Sequence, residues 1–100
     1  MEPEPMGPAR HRVALPATLD MSNGPAVVVQ LHKLIVVKSI VDLDCTALEY
    51  IDSGGATALL QVRHLAVKRG ATLRLVNLSG SPLQFLTILG VTDLFDLAHD

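Results

Sequence analysis

The stretch VDLDCTALEYIDSGG, residues 41–55, carries the strongest structural signal in this chain of 100 residues. It begins with a short β-type run, passes through a turn into a second apolar run, and ends in Asp-Ser-Gly-Gly at residues 52–55. From Ala56 the apolar residues recur at helical spacing until Gly70. Asp and Ser are favoured helix N-caps, and Gly is favoured just beyond a helix end. The stretch therefore predicts a strand followed by a capped helix.

On both sides of this stretch, strand patterns alternate with helix patterns. Residues 12–19 alternate loosely, but Pro16 restricts them to an edge strand at best. A turn cluster at residues 20–25, with Ser22 or Asn23 as a cap, leads into a helix over 27–35. Downstream follow a strand at 72–76, a helix at 82–90 that starts after the cap Ser81, and one more helical turn at 92–95. The order β-α-β-α-β-α predicts a single α/β domain with a largely parallel or mixed sheet.

The composition excludes several classes of protein. Apolar residues make up 49% of the chain, which is too many for general disorder. A net charge of -2 and only three aromatic residues argue against nucleic-acid binding, which needs basic patches or stacking platforms. A single cysteine, Cys45, excludes a disulfide framework and a multi-cysteine zinc site. We expect Cys45 to be a small buried or half-buried residue rather than a nucleophile.

The sequence also lacks the usual signatures of an enzyme. No serine lies in a Gly-x-Ser-x-Gly elbow, and there is no phosphate loop. The four histidines are not at metal-binding spacing; they are His11, His32, His64 and His99. We therefore predict a protein without catalysis, cofactor or metal. Most basic residues are most simply interpreted as facing solvent: Lys33, Lys38, Arg63, Lys68, Arg69 and Arg74.

The first ten residues contain two glutamates and three prolines, which predict a disordered tail at 1–10 and a single domain over 11–100. This start has neither the basic nor the apolar region of a signal peptide. The longest nearly apolar stretch, residues 27–37, is too short and too polar to span a bilayer. With a free cysteine, these features predict a cytoplasmic protein that does not insert into a membrane, although docking on a membrane complex stays open.

The predicted helix start at residues 52–55 suggests a chemical role for Ser53. Free N–H groups at a helix N-terminus favour an anion, so Ser53 is a candidate phosphorylation site. Gly54 and Gly55 carry no side chains, so another surface could approach the backbone closely. The alternative is purely structural, with Ser53 as a simple N-cap and the glycines as a tight helix entry.

Several segments together resemble one known family, the STAS domain. They are residues 41–43 with 50–55 and 58–60, then 73–77, then 86–95, with Ala17-Thr18-Leu19-Asp20 at the place of the family's Gly-x-Leu-Asp. The resemblance covers residues 12–97. It implies the anti-sigma factor antagonist-like α/β fold, with a mixed or parallel sheet of about four strands flanked by helices.

The resemblance also implies a function. Anti-sigma factor antagonists are bacterial regulators that bind an anti-sigma factor with serine kinase activity and are released when the kinase phosphorylates the serine after the Asp of the motif. That position is Ser53 here. The partner-binding surface implied by the family's loop arrangement comprises Asp20, Ser22, Asn23, Asp52, Ser53, Gly54 and Gly55.

Two departures from the family keep alternatives open. The usual Asp-Ser-Ser-Gly-Leu-Gly is Asp-Ser-Gly-Gly-Ala-Thr at residues 52–57. This pattern also resembles the STAS subunit of bacterial phospholipid-transport ABC complexes, whose partner is the transporter ATPase and which has Thr at the place of Ser53. In addition, the family's first strand should precede Arg12, where this chain has its proline-rich tail. The short sheet edge that results could stay exposed or pair in a weak homodimer.

Overall fold

The computed structural model describes residues 9–100. The tail predicted at residues 1–10 lies outside the described residues, except for residues 9 and 10. Arg10 is the first residue of strand β1, so regular structure begins one residue before the predicted domain start at residue 11.

Six strands, three α-helices and one 3-10 turn form residues 9–100. In chain order they are β1 Arg10–Ala14, β2 Thr18–Leu19, α1 Gly24–His32, β3 Ile40–Asp44, β4 Tyr50–Ile51, α2 Ser53–Arg69, β5 Thr72–Val76, α3 Gly80–Ile88, the 3-10 turn Thr92–Leu94 and β6 Asp96–Ala98. The predicted strand at 72–76, the helix end at Gly70 and the last helical turn are confirmed.

Three predicted details are wrong. Helix α1 ends at His32 rather than at residue 35. Helix α3 starts two residues earlier than predicted, with Ser79 rather than Ser81 at its N-cap position. Strand β6 was not predicted, because its three residues are too few to show an alternating pattern.

The main sheet has four strands in the order β1-β3-β5-β6, and every neighbouring pair is parallel. This confirms the predicted α/β fold with a sheet of about four strands and resolves the mixed-or-parallel alternative in favour of parallel. Strand β1 lies at one edge, and its outer side is unpaired within residues 9–100. The single edge strand predicted over residues 12–19 is wrong, because Pro16 lies between β1 and β2 and the two strands belong to different sheets. A separate pair, β2 with β4, matches Leu19 to Ile51 and brings two distant loops together.

All three helices belong on one face of this sheet. The strand order runs in one direction, and right-handed crossovers between successive parallel strands then place each connecting helix on the same side. On the two central strands, β3 and β5, the side chains facing the helices are apolar and buried; they are Val41, Leu43, Leu73 and Leu75. They join the helical residues in one core, whose members include Leu31, Val41, Leu43, Leu59, Val62, Leu75 and Leu86.

The opposite face of the sheet carries a row of alternating charges. In register across the four strands lie Arg12, Asp42, Arg74 and Asp96. Asp42 is buried, and its carboxylate accepts two hydrogen bonds from Arg74, at 2.7 and 3.0 Å, and one from Arg10 at 3.0 Å. These hydrogen bonds hold the pKa of Asp42 below its ordinary value, and Arg74 has a larger effect than Arg10. The interpretation of Arg74 as simply solvent-facing is therefore wrong.

Two further basic residues hold the ends of neighbouring elements. The Arg69 guanidinium donates to the carbonyl oxygens of His32 and Ile35, at 3.2 and 3.1 Å, where α1 ends without regular partners. Arg63 donates to the carbonyl of Leu94 at 2.7 Å and ties α2 to the 3-10 turn. Both side chains therefore stabilise contacts between neighbouring elements and are not free surface charges.

Candidate functional site

The N-terminus of α2 is organised by Asp52. Its backbone is extended, and its carboxylate accepts a hydrogen bond from the Gly55 amide at 2.9 Å, which is the usual geometry of an N-cap. The Ala56 amide bonds to the Asp52 carbonyl at 2.9 Å and starts the helical ladder. Ser53 is therefore the first helical residue, and the alternative in which Ser53 is the N-cap is wrong.

Ser53 presents an exposed hydroxyl that makes no hydrogen bond to any residue of 9–100. Its carbonyl is engaged and accepts from the Thr57 hydroxyl at 2.8 Å. Among the first-turn amides, those of Ser53 and Gly54 have no acceptor within the described part of the chain. The Ser53 hydroxyl is thus free within residues 9–100, and it lies at a helix N-terminus, where the helix dipole favours negative charge.

The two glycines accommodate the chain's own backbone. A Cβ atom on Gly54 would lie 2.7 Å from the Cα and the amide nitrogen of Met21, and one on Gly55 would overlap the carbonyl oxygen of Leu19. The β2–β4 pairing produces this approach, because it draws the segment after Leu19 against the start of α2. The interpretation that the glycines make room for another surface is therefore wrong: the turn after β2 fills that room.

The turn between β2 and α1 is a closed hydrogen-bond network. The Asp20 carboxylate accepts from the amide and hydroxyl of Ser22 and from the amide of Asn23. In return, Asn23 accepts from the Asp20 amide at 2.9 Å and donates to the Thr18 carbonyl at 2.7 Å. The hydrogen bonds from Ser22 are the main cause of a lowered pKa for Asp20. Asn23 occupies the N-cap position of α1, but its side chain makes no capping bond there.

The structure brings the predicted partner-binding residues together in two adjoining groups. The turn at residues 20–23 lies against the first turn of α2 through the contact between Met21 and Gly54. Of the predicted residues, Asp20, Ser22, Asn23 and Asp52 have bonds that build these turns, and Ser53 alone projects a functional group that is unbonded within residues 9–100. A surface centred on Ser53 is thus compatible with the structure, and most of the other predicted residues give it shape. The prediction that Gly55 contacts a partner is wrong, because Gly55 is buried.

Sequence reasoning missed the apolar part of this surface. A shallow hollow of about 270 Å³ beside Gly54 is lined by Met21, Pro25, Thr57, Ala58 and Gln61. Met21 is 77% exposed, although it lies in an otherwise polar turn. Two signals could have identified the hollow. Methionine is adaptable at binding surfaces, and residues 57 and 61 follow Ser53 at steps of four along one helix face.

Other reactive groups lie away from this surface or are buried. Cys45 is in the core, where burial raises the pKa of its thiol to about 12. Within residues 9–100, no three His, Cys, Asp or Glu side chains come together in a way that could hold a metal ion. Among the helices of the same residues, none combines the length and the hydropathy that a bilayer crossing requires.

Comparison with known proteins identifies the family. The model of the STAS domain family matches residues 10–100. Among solved structures, a "putative anti-sigma factor antagonist" from Thermotoga maritima superimposes with a TM-score of 0.73 at 15% sequence identity, covering 87% of this chain and 78% of that one. At this identity the likeness shows the fold alone. No curated protein matches the chain. Because the family model spans nearly the whole sequence, the chain belongs to the STAS domain family.

Proposed function

We propose that this chain is a non-enzymatic regulatory module of the anti-sigma factor antagonist type. It binds an anti-sigma factor with serine kinase activity in the bacterial cytoplasm, and phosphorylation of Ser53 releases the complex. One observation carries the proposal: the Ser53 hydroxyl is exposed and unbonded in residues 9–100, while the neighbouring Asp52 performs the capping. In a family whose members act by protein–protein binding, a free hydroxyl at this place could control binding of the partner.

Electrostatics explains how a phosphate at Ser53 would act. It adds about 1.5 to 2 negative charges at neutral pH. The helix N-terminus and the free amides of Ser53 and Gly54 tolerate this charge, so the fold remains intact. The nearby carboxylates of Asp20 and Asp52 make the same surface strongly negative once the phosphate is present. A partner that packs closely on the surface would then lose affinity through repulsion and incomplete desolvation.

The test compares two substitutions of one side chain. Ser53→Ala should retain the complex with the anti-sigma kinase of the same organism, and Ser53→Asp should weaken it at least about tenfold, since each factor of ten is 1.4 kcal/mol. Ser81→Asp is the matched control, because Ser81 is also an exposed serine in the first turn of a helix. Mass spectrometry of protein from the native cell reports whether Ser53 carries phosphate. Equal affinity of the two Ser53 variants would refute the switch.

The second candidate is a constitutive subunit that binds the ATPase of a phospholipid-transport ABC complex. Its main motivation was the Gly54-Gly55 pair, and the close approach of Met21 and Leu19 now accounts for both glycines. This candidate predicts a complex with the ATPase that forms equally well with Ser53→Ala and Ser53→Asp. Copurification with an ATPase, insensitive to both substitutions, would replace the first proposal.

A further inference from the structure

A groove between α1 and α2 extends the surface around Ser53 along the helical layer. It encloses about 450 Å³ and is mostly apolar. Val28, Leu60 and Leu65 form its floor, and His32, His64 and Lys68 lie towards the C-terminal end of α2. Leu60 and Leu65 are only half-buried, although they lie beside the core.

The groove and the hollow beside Gly54 are continuous, because Thr57 and Gln61 line both. Together they follow α2 from Gly54 to Lys68. At 1.5 Å rise per residue, this distance is about 21 Å. This channel lies between two packed helices and is open along its side. Its length matches one further helix of about 14 residues, which could pack into it.

The outward stripe of α2 is unusual for a helix that faces only water. Its positions are Thr57, Gln61, His64 and Lys68, at steps of four, three and four. Lys68 carries the stripe's one formal charge, whereas a solvated face is normally rich in charged side chains. The stripe therefore resembles the margin of an interface, polar but weakly charged, next to the half-buried Leu60 and Leu65.

The charge pattern indicates the chemistry of the occupant. The sequence has no Asp or Glu at residues 21–41 or 53–92, so α1 and α2 contain no acidic residue. The basic residues Lys33 and Lys68 lie where the two helices end, next to Arg69, whose guanidinium is bonded to the last carbonyl of α1. The chain nevertheless has a net charge of -2, because its acidic residues lie elsewhere. One end of the groove is thus locally positive on a negative protein and complements an acidic partner segment.

We propose that the groove binds an amphipathic helix of the partner. Its aliphatic stripe packs on Val28, Leu60 and Leu65, and its acidic side chains lie beside His64 and Lys68. This inference rests on the proposed function, because it assumes that the chain acts by binding a protein. It extends that function to a second contact, which supplies affinity at a distance from the serine that switches binding.

The test uses designed peptides and isotope-labelled protein. One peptide of about 16 residues has a Leu stripe and Glu on its polar face, and the matched peptide has Lys in place of each Glu. The Glu peptide should shift the amide resonances of Val28 and of residues 57–68, and the Lys peptide should not. Lys68→Glu should weaken the Glu peptide about fivefold, the usual scale of an exposed ion pair. Lys38→Glu, the same change of charge outside the groove lining, should leave the affinity unchanged.

Three results would overturn the inference. They are equal binding of both peptides, binding of dodecanoate in the groove without binding of the Glu peptide, and self-association through the groove without peptide binding. The anti-sigma kinase separates this inference from the switch. If Ser53→Asp weakens that complex while Lys68→Glu and Lys38→Glu behave alike, the groove contact alone fails. If Lys68→Glu weakens it and Ser53→Asp does not, the switch alone fails.

Discussion

The backbone of Met21 lies directly against Gly54, so that a Cβ atom at position 54 would stand 2.7 Å from the Met21 Cα. This approach joins the turn after β2 to the start of α2 and fixes the shape of the surface around Ser53. Position 54 of this chain has no room for a side chain. A side chain there would collide with backbone, which cannot rotate away as a flexible side chain can.

Gly54→Ser should therefore destabilise the fold by about 2 kcal/mol, the usual range for overpacking. Urea unfolding followed by circular dichroism measures the change. Gly80→Ser is the comparison, because Gly80 has a left-handed φ of 60° and no atom within 4 Å of an added Cβ. It should cost about 1 kcal/mol from backbone strain alone. A smaller loss at position 54 than at position 80 would contradict the close approach.

Asp52→Ala should lower the free energy of unfolding by about 1 kcal/mol, because it removes the hydrogen bond to the Gly55 amide. Asp52→Asn should cost only a few tenths, since asparagine is an equally good N-cap. Ser53→Ala should change stability by less than about 0.5 kcal/mol, as expected for an exposed residue without a bond. If Ser53→Ala proved the more damaging substitution, the assignment of the cap to Asp52 would be wrong.

Acid should weaken the fold through Asp42. Because Arg74 and Arg10 hold its folded-state pKa below the unfolded value, the folded state binds fewer protons than the unfolded state at low pH. The contribution of Asp42 is complete above its unfolded pKa of about 3.9 and is lost as the pH falls from there through the lower folded value. Asp42→Asn should flatten the decline in melting temperature below about pH 4. Arg74→Met should flatten it as well, and an unchanged decline in both would contradict this origin.

Cys45 should resist alkylation in the folded protein. Burial raises the pKa of its thiol to about 12, so almost none of the reactive thiolate is present at neutral pH. Iodoacetamide at about pH 8 should react at least about 100-fold more slowly with the folded chain than with the chain in urea. Mass spectrometry gives the modified fraction over time. Equally rapid modification in both states would place the thiol at the surface.

The sequence pattern predicted those helices and strands whose ends or alternation depend on neighbouring residues. Gly70 ends α2 with a left-handed φ of 72°, a conformation that glycine adopts readily, and this short-range chemistry was readable from sequence. The alternation at residues 72–76 gave β5 for the same reason. The register of α3 was missed because Ser79 and Ser81 carry equivalent capping signals, and only the packed structure distinguishes them.

Contacts between distant residues were not predictable from pattern. The bond from Arg74 to Asp42 joins residues 32 positions apart and depends on the strand register. The approach of Met21 to Gly54 likewise depends on the β2–β4 pairing. At the candidate site, Ser53 was identified correctly as the helix-start serine, but Met21 was overlooked. Glycine is required at positions 54 and 55 because residues 19–21, more than 30 positions earlier in the sequence, pack against them.

The division of labour between Asp52 and Ser53 has a consequence for the lifetime of the protein. A chemical change confined to the Ser53 hydroxyl leaves the hydrogen bond that starts α2 intact, so the folded fraction is unaffected. Cellular proteases and chaperones act on the unfolded fraction, and a loss of 1 to 2 kcal/mol is enough to change abundance several-fold. A chain arranged in this way can be modified and restored repeatedly without being cleared. Under the proposed switch, the concentration of the chain would then stay independent of phosphorylation at Ser53.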